Sequence, residues 1–311
     1  MANDFHAVAD LIGDGLDISS AEVSDLLDSA PLISALPMEE SSNGSSHKYV
    51  KETGAPVVGF RAENAGRDFD SSDDTLVTVD LKILDFSWMV DKAVADSWTK
   101  GRENYIAREG LRHLKAALFK FEQQVIGGTV GGDAAGFTGL ANSTGLDAAA
   151  DEMVIDAGGT TADTGSSVWG VRLGGNDVTG IFKGDGPALS LGDTVVNNFV
   201  DGSSKNLPVY YTPGTLWLGV QVGGARSVGR VASITADSGA SLDDDNLADL
   251  LSKFPAGSPP THFVMSRRSQ KQLQSSRTAT NPTGQPASFP TEAFGIPIIV
   301  TDAQSDTEAL L

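Results

Sequence analysis

The side chains of this 311-residue chain that are best suited to proton transfer or metal binding are its four histidines. They lie in unrelated segments, at His6, His47, His113 and His262, and none of them has the spacing of paired metal ligands. Isolated histidines of this kind usually serve ordinary packing or surface roles. The histidines therefore predict neither a metal site nor a catalytic base.

A run of three aspartates in the segment SLDDDNL offers carboxylates of the kind that bind calcium or magnesium. The twelve-residue loop of an EF-hand also requires a late glutamate, which this segment lacks. The leucine-containing residues that follow favour a helix, and an aspartate stabilises the positive amino-terminal end of a helix. We therefore predict that Asp243 or Asp244 caps a helix.

Patterns for nucleotide binding and nucleophilic catalysis are missing from the sequence. The glycine-rich stretches GGTVGGDAAG and GGND contain neither GxxxxGK[ST] nor GxGxxG, and they favour turns. There is no GxSxG or HExxH pattern, and the absence of cysteine excludes thiolate chemistry and disulfides. We predict no catalytic, cofactor-binding or metal-binding residues, no cofactor, and a protein that is not an enzyme.

The distribution of charge limits the partners of the chain. A net charge of −19 would repel nucleic acids and anionic membranes from most of the surface. Residues 1 to 40 carry nine acids and no lysine or arginine, whereas residues 250 to 291 carry five basic residues and no acid. The acidic start and the lack of a long apolar run argue against a signal peptide or a membrane span, which favours the cytoplasm.

The basic segment RRSQKQLQSSR is the best candidate for contact with nucleic acid. Its cations, which have the number and spacing to neutralise several phosphates, are Arg267, Arg268, Lys271 and Arg277. Acidic surfaces on neighbouring subunits are an alternative partner, and the overall acidity of the chain favours them. The basic residues between positions 92 and 122 pose the same choice.

A long strand-like ribbon at residues 48 to 86 is the most informative element. In TLVTVDLKIL, apolar and polar side chains alternate with the two-residue period of a half-buried strand. The residues expected on its apolar face are Val77, Val79, Leu81 and Ile83. An earlier extended run, VVGFRAE, precedes a turn-rich stretch, so the two runs predict a long hairpin. A lone hairpin is marginally stable in water, and we expect other copies of the chain to cover it.

The ribbon leads almost directly into the longest helical pattern of the chain, at residues 98 to 126. Apolar residues recur along it at alternating spacings of four and three, which places them in one stripe on the helix surface. The members of this stripe are Ala107, Leu111, Leu114, Leu118, Phe121 and Val125. Gly127 and Gly128 follow and are expected to end the helix. A helix of this length would cross most of a compact subunit.

Short strands separated by glycines dominate the second half of the chain, which completes an α+β protein. We predict them in SSVWGVRLG, VTGIFKG, PVYYTPGTLWLGVQVG, ARSVGRVASIT, THFVMS and GIPIIVTDA. At the other end, residues 1 to 46 combine an acidic helical stretch after Ser20 with a proline- and serine-rich connector. We expect this arm to depend on neighbouring subunits for its order.

The order of these segments resembles the major capsid proteins of tailed bacteriophages, the family with the Hong Kong 97 fold. The resemblance covers most of the chain and rests on TGAPVVGFRAEN with the ribbon, the long helix, FTGL, VWGVRLGGNDVTGIF, RSVGRVASI, THFVMSRRSQKQL and FGIPIIVTDA. Each segment is a short packing pattern, and the ordered set carries the specificity. The resemblance implies a non-enzymatic subunit that forms the pentamers and hexamers of an icosahedral head around double-stranded DNA.

The resemblance also implies a division of the chain into an N-terminal arm, an extended E-loop that lies across an adjacent subunit, a peripheral domain and an axial domain around the capsomer axes. The implied boundaries are 1–46 for the arm, 47–87 for the E-loop, 88–165 for the peripheral domain with its spine helix at 98–127, 166–235 for strands shared between the two domains, and 236–311 for the axial domain.

The end of the chain departs from the commonest arrangement of this family. There, the chain returns to the peripheral domain after the segment that matches GIPIIVTDA, whereas only eight residues follow Ala303 here. We therefore expect a rearranged strand order in which residues 216 to 234 supply peripheral-domain strands. Because the arm and the E-loop begin almost at once, we also expect a separate scaffolding protein and no large proteolytic trimming.

The resemblance implies further partners, namely a portal, a possible decoration protein and packaged DNA, which is bound weakly and without sequence specificity. It implies no membrane, and it places the protein in a virion that is assembled in the host cytoplasm.

Some members of the family cross-link covalently through a lysine. Lys48, Lys51 and Lys82 lie in the ribbon, but nothing identifies their partners, and no cross-link is expected. Two alternatives stay open, namely an encapsulin-like nanocompartment shell with the same fold and a secreted surface-layer or adhesin protein.

Overall fold

A computed structural model describes residues 30–68, 70–98, 101–184, 189–200, 204–281 and 285–311. Within these ranges the helices are α1 (Pro31–Ala35), α2 (Lys92–Asp96), α3 (Arg102–Gly131), α4 (Asp244–Lys253) and α5 (Arg267–Ala279). The first strands are β1 (Met38–Glu40), β2 (Ser46–Gly54), β3 (Asp73–Asp80), β4 (Lys82–Asp85), β5 (Trp88–Asp91), β6 (Val154–Asp156), β7 (Ser166–Val171) and β8 (Val178–Phe182). The remaining strands are β9 (Leu189–Leu191), β10 (Val195–Val200), β11 (Asn206–Thr212), β12 (Gly214–Val222), β13 (Val228–Ile234), β14 (His262–Met265), β15 (Glu292–Ala293) and β16 (Ile296–Val300). The arm helix predicted after Ser20 lies outside the described residues.

The strands of the described ranges pair into four sheets. One has the order β1-β8-β12-β4 with β9 beside β12, a second has the order β10-β11-β5, and a third has the order β15-β16-β14-β7-β13-β6. β2 and β3 form a two-stranded sheet of their own. Most pairs are antiparallel, while β1 with β8, β6 with β13 and β14 with β16 are parallel. The mixture of helices and largely antiparallel sheets is the predicted α+β architecture.

The predicted hairpin is present, but its first strand lies earlier in the sequence than expected. β2 pairs with β3 in antiparallel register, whereas VVGFRAE, residues 57–63, forms no strand and lies in the exposed connection between them. The Val57 N–H donates to the Asp70 carboxylate at 2.8 Å, and the Val57 carbonyl accepts from Arg67. Side chains thus satisfy both backbone groups of Val57 in place of a partner strand.

The second strand of the ribbon also differs from the prediction. TLVTVDLKIL is divided at Leu81 into β3, which pairs with β2, and β4, which pairs with β12. Val77, Val79 and Leu81 are covered at least in part, as predicted. Because the chain changes sheets at Leu81, the alternation of covered and exposed side chains shifts by one residue, and Ile83 is exposed. Leu84 takes the inward position of β4 and packs against the core.

The long helix α3 lies where the sequence predicts it. The buried residues of the predicted stripe are Leu114, Leu118, Phe121 and Val125, and Ala107 near the start is exposed instead. The backbone leaves the helical conformation at Gly128, where φ is 56°, before a last turn that ends at Gly131. A Cβ at Gly128 would lie 2.5 Å from the Gly139 nitrogen, so the loop that returns here requires a glycine. None of the described helices, α3 included, is long and apolar enough to cross a membrane.

Residues 216 to 234 are divided between two sheets. β12 pairs with β4 and β8, and its Leu218 lines a cavity together with Phe121 of α3. β13 instead pairs with β6 and β7 in the six-stranded sheet, where Val231 lies opposite Val168. This segment therefore contributes to two sheets, because the turn between β12 and β13 carries the chain from one sheet to the other, and its predicted place in the peripheral domain stays a prediction.

The six-stranded sheet packs closely against α4. Gly170 of β7 and Gly229 of β13 lie opposite each other, and a Cβ at Gly229 would lie 2.8 Å from Leu250 of the helix. The paired glycines therefore make room for the leucine. α4 begins after Asp243, whose carboxylate accepts the Asn246 N–H at 2.8 Å, which confirms the predicted helix cap.

The segment after β16 runs back along the six-stranded sheet. The Glu308 N–H donates to the Gly165 carbonyl at 2.8 Å, and its carboxylate lies 3.4 Å from the guanidinium of Arg230 on β13. Arg230 is buried and lies over the ring of Trp169, 4.9 Å from the ring centre. A buried cation thus has both an ion-pair partner and an aromatic face, and it fixes this segment on the sheet.

Candidate assembly surfaces

The histidines do not come together in the described part of the chain. His47 in β2 is buried, and its Nδ1 accepts a backbone N–H at 3.2 Å. His113 lies on the exposed side of α3, and burial lowers the pKa of His262 at the start of β14. His6 lies outside the described residues, which contain no group of three or more His, Asp or Glu side chains able to hold a metal ion.

Two of the four cations predicted to face nucleic acid or a neighbouring subunit are engaged within the chain. Arg277 on α5 donates two hydrogen bonds to the Asp244 carboxylate, at 2.6 and 2.8 Å, and this contact raises the pKa of the arginine. Arg268 is partly buried and lies 3.3 Å from the Asp306 carboxylate. The two cations left exposed on this helix are Arg267 and Lys271. The basic segment therefore offers two positive charges to a partner outside the subunit, half of the four that the sequence suggests.

A buried carboxylate joins three segments that are far apart in the sequence. Glu122 on α3 is fully buried, and its Oε2 accepts the N–H groups of Leu32 and Ile33 at 3.0 and 3.2 Å. Those N–H groups belong to the first turn of α1 and have no acceptor within that helix. Oε1 accepts the hydroxyl of Thr301, directly after β16. We call this arrangement the Glu122 junction; it ties α1 and β16 to the long helix.

The surroundings raise the pKa of Glu122 above its ordinary value of 4.5, because burial disfavours the charged form. The three hydrogen bonds of the junction oppose the shift, while the nearby Asp302 adds to it. The sequence-based predictions do not include this residue. The sequence does contain one sign of its role. Glu122 lies between Phe121 and Val125 in the buried stripe of the helix, where a charged side chain requires a partner.

The base of the hairpin is anchored to its own subunit, contrary to the expectation that other copies must cover its apolar side. Leu81 is buried, and it packs over Gly219 of β12 together with Val79. A Cβ at Gly219 would lie 2.8 Å from Leu81, so a larger residue would push the two strands apart. The hydroxyl of Tyr49 also donates to the Val222 carbonyl of β12 at 2.8 Å.

The tip and the outer side of the hairpin remain exposed, as the sequence predicts for part of this element. Val57, Val58 and Phe60 in the tip are 70%, 82% and 108% exposed. On the outer side, Val50 and Leu76 lie opposite each other and are 65% and 62% exposed. Apolar side chains gathered on a projecting element are typical of a surface that binds another protein.

A second hairpin, formed by β10 and β11, also exposes apolar side chains. All six residues of β10 are exposed, and the large apolar ones are Val195, Val196, Phe199 and Val200. The sequence predicts β11 in PVYYT, whereas no strand is predicted in VVNNFV. Its β-branched and aromatic residues are a strand signal, whereas the two central asparagines weaken that signal.

Polar contacts hold the second hairpin against the start of the long helix. The hydroxyl of Tyr210 in β11 donates to the Asp96 carboxylate at 2.9 Å and accepts from Arg102 of α3 at 3.2 Å. Hydrogen bonds from Lys92 and Tyr210 lower the pKa of Asp96. The attached end of this hairpin is therefore fixed, while its β10 side stays open.

Comparison with known families gives a match to most of the chain. The sequence model of the family described as major capsid protein GP7 matches residues 16–311. No curated protein matches the chain.

Solved structures resemble the chain at low sequence identity. A chain of bacteriophage Epsilon15 has a TM-score of 0.59 and 17% identity, over 88% of this chain and 87% of that one. The capsid of bacteriophage JBD30 has a TM-score of 0.47 and 10% identity, over 93% and 99%. The SrpI encapsulin of Synechococcus elongatus PCC 7942 has a TM-score of 0.44 and 11% identity, over 71% and 97%. The first likeness shows a shared fold, and the other two are too distant to support an argument.

Proposed function

The chain belongs to the major capsid protein GP7 family, and from this premise we propose how its parts share the work of building a shell. It has the Hong Kong 97 fold, it is a component of the phage virion, and its copies assemble into an icosahedral head. Membership of this family favours a phage capsid protein over the two alternatives, a nanocompartment shell and a secreted surface protein.

The hairpin of β2 and β3 acts as the E-loop, which extends from its own subunit over a neighbouring one. The observation that carries this assignment is the contrast between its two ends. The base is held by Leu81 over Gly219, whereas Phe60 at the tip has no cover from the described part of its own subunit. Because the base of the hairpin is fixed and its tip is apolar, the tip is stabilised only when another copy of the chain covers it.

The remaining parts take the roles that the family resemblance implies. Residues 1 to 46 act as the arm, α3 is the spine helix of the peripheral domain, and the six-stranded sheet with α4 and α5 forms the axial domain. The pairing of β13 inside that sheet supports moving residues 228 to 234 from the shared strands to the axial domain. The Glu122 junction fixes the arm and the six-stranded sheet on the spine helix, so that the subunit assembles as one body.

The partners beyond other copies are bound weakly or supplied separately. Arg267 and Lys271 offer few charges to packaged double-stranded DNA, and the net charge of −19 opposes stronger binding, so this contact is weak and independent of sequence. A scaffolding protein guides assembly in the host cytoplasm, a portal occupies one vertex, and a decoration protein has the outer surface available. The subunit itself performs no catalysis.

Electron microscopy of the purified chain, alone and with the scaffolding protein, tests this proposal. We expect closed shells of uniform diameter built from pentamers and hexamers. Nuclease-protected double-stranded DNA inside shells from infected cells distinguishes a phage head from a compartment that stores an enzyme. Particles that stay monomeric or form open sheets under both conditions would contradict the proposal.

A further inference from the structure

β10 is an open sheet edge with an unusual composition. It occupies one end of the order β10-β11-β5, and no strand of the described ranges pairs with its other side. Its sequence, VVNNFV, carries no charge, and Val196 and Val200 are 58% and 54% exposed. Proteins commonly protect edge strands with charges, prolines or bulges, because an open edge pairs with other chains. An uncharged, apolar edge is suited to pairing.

The neighbouring strand indicates which backbone groups of β10 face outward. Opposed residues of an antiparallel pair exchange either two hydrogen bonds or none. Asn198 lies opposite Pro208, which has no N–H to donate, and the Asn198 N–H bonds the Asn197 side-chain oxygen at 2.8 Å instead. The N–H and C=O groups of Asn198 therefore face the open edge. Because this orientation alternates along a strand, those of Val196 and Val200 face it as well.

We propose that β10 is a contact between two copies of this chain, in which it pairs antiparallel with its own counterpart about a two-fold axis at Asn198. The proposal rests on the shell-building function and adds a defined contact to it. Pairing extends the three-stranded sheet into one six-stranded sheet that spans two subunits. A two-fold contact of this kind uses the same surface on both copies.

The register about Asn198 matches like side chains with like. Asn198 meets Asn198 of the second copy, and an amide side chain both donates and accepts hydrogen bonds. Val196 meets Val200 of the second copy, and the symmetry repeats this apolar pair. The Asn198 N–H exchanges its bond to the Asn197 side chain for a backbone carbonyl of the second copy, so pairing leaves no donor unsatisfied.

Charge argues against other occupants of this edge. DNA binding requires cations, and β10 has none. The edges of the E-loop hairpin also pair with no further strand of the described residues, but β2 and β3, with the sequences SHKYVKETG and DDTLVTVD, carry several charges. Their pairing with β10 would place charged groups against apolar side chains. A second β10 brings no charge to the contact.

Cysteine substitution tests the contact directly, because the chain has no cysteine of its own. In the proposed register the two Asn198 Cα atoms lie about 5.5 Å apart, which is within the range for a disulfide. Shells assembled from Asn198→Cys and then oxidised should give a covalent dimer on a non-reducing gel. Val196→Cys is the matched control, since the two-fold axis separates its copies by about 14 Å and no dimer is expected. Val196→Cys combined with Val200→Cys should restore the dimer.

Each outcome of the cysteine experiment decides one proposal. Normal shells of Asn198→Cys without a covalent dimer would overturn the β10 contact and leave the shell-building function intact. A dimer between Asn198→Cys and Phe60→Cys subunits in mixed shells would assign the edge to the E-loop of a neighbour, and so would also overturn it. A chain that forms no shells under any condition would overturn the proposed function itself.

A backbone substitution tests the same contact independently. Proline is tolerated on an edge strand where its nitrogen faces solvent, so Asn198→Pro should leave the unfolding midpoint of the free subunit unchanged. It removes the outward N–H, and we expect loss of shells on sedimentation. Asn198→Thr keeps the N–H and should assemble normally. Equal assembly of the two variants would contradict the pairing, and the cysteine variants decide the question if the proline variant is unstable.

Discussion

Glu122 is the residue whose removal should do most damage to the junction of α1, α3 and β16. We expect Glu122→Ala to lower the free energy of unfolding by about 3 kcal/mol, because two buried N–H groups and a hydroxyl lose their acceptor. Glu122→Gln keeps one acceptor and one donor in the same place and should cost less than half as much. Urea unfolding of the unassembled subunit measures both. Equal losses for the two variants would show that the hydrogen bonds contribute little.

The raised pKa of Glu122 also predicts a pH dependence. A carboxyl whose pKa rises on folding binds more protons in the folded state, so it favours folding most strongly below its ordinary pKa of 4.5. This contribution is lost as the pH rises from 4.5 through the raised pKa. The stability of the native chain relative to Glu122→Gln should therefore fall across that window in urea titrations at successive pH values. A difference that does not change with pH would contradict the shift.

The role of a single residue can be predicted from the sequence when its bonding partner lies only a few residues away. Asp243 caps α4 through Asn246, three residues away, and the sequence identified it. Glu122 binds Leu32 and Thr301, 90 and 179 positions away, and no local pattern reports such partners. The same reason explains why the sequence offered Arg277 to DNA or to a neighbouring subunit, whereas it pairs with Asp244 of its own chain.

At the scale of elements, the tip of the E-loop should matter for assembly and not for the stability of the subunit. We expect Phe60→Asp to abolish shells, since it places a charge where a neighbour must cover the loop, and to leave the thermal unfolding midpoint unchanged. Phe289→Asp is the matched control, because Phe289 is 58% exposed outside the hairpin. Sedimentation and electron microscopy measure the shells. Normal shells from Phe60→Asp would contradict the E-loop assignment.

The base of the E-loop should behave in the opposite way. Gly219→Val forces a side chain against Leu81, and we expect it to lower the stability of the free subunit by about 2 kcal/mol in urea unfolding. Gly257→Val is the control, because a Cβ at Gly257 meets nothing within 4 Å, and its effect should stay below about 0.5 kcal/mol. Substitutions at Leu81 likewise test folding more than assembly. A stable Gly219→Val subunit would show that β12 does not support the hairpin.

The sequence predicts the type of most helices and strands, whereas some of these elements begin or end at other residues than predicted. The stripe of α3 and the alternation around Val77 and Val79 were recognised because one side of each element is covered within the subunit. VVGFRAE has the composition of a strand, but it pairs with no described strand, and the backbone groups of its first residue, Val57, bond the side chains of Arg67 and Asp70 instead. The sequence did not predict β10, because all six of its residues are exposed and the strand shows no alternation of buried and exposed side chains.

At the scale of the whole molecule, the acidity of the chain should make assembly depend on salt. Subunits with a net charge of −19 repel one another, and raising the ionic strength from about 0.01 to 0.15 M shortens the screening length from about 30 to 8 Å. We expect light scattering to show faster and more complete assembly over that range. Slower assembly at the higher salt would indicate that ion pairs between subunits outweigh the repulsion.

The order of segments along the chain was enough to identify the fold, whereas the path between sheets was not. Residues 216 to 234 read as two similar apolar strands, and only their partners distinguish β12, which supports the E-loop, from β13, which lies in the six-stranded sheet. Strand partners are set by contacts between distant parts of the chain. A local pattern predicts that a strand exists and does not predict which sheet it joins.

The Glu122 junction also determines how late during synthesis the subunit can complete its fold. A growing chain can form α3 and the hairpin early, but Glu122 cannot reach its Thr301 partner until the ribosome has released residue 301. Until then the carboxylate is only partly bound, and the six-stranded sheet lacks β16. The long helix, α1 and the six-stranded sheet are therefore joined through Glu122 only after residue 301 has left the ribosome.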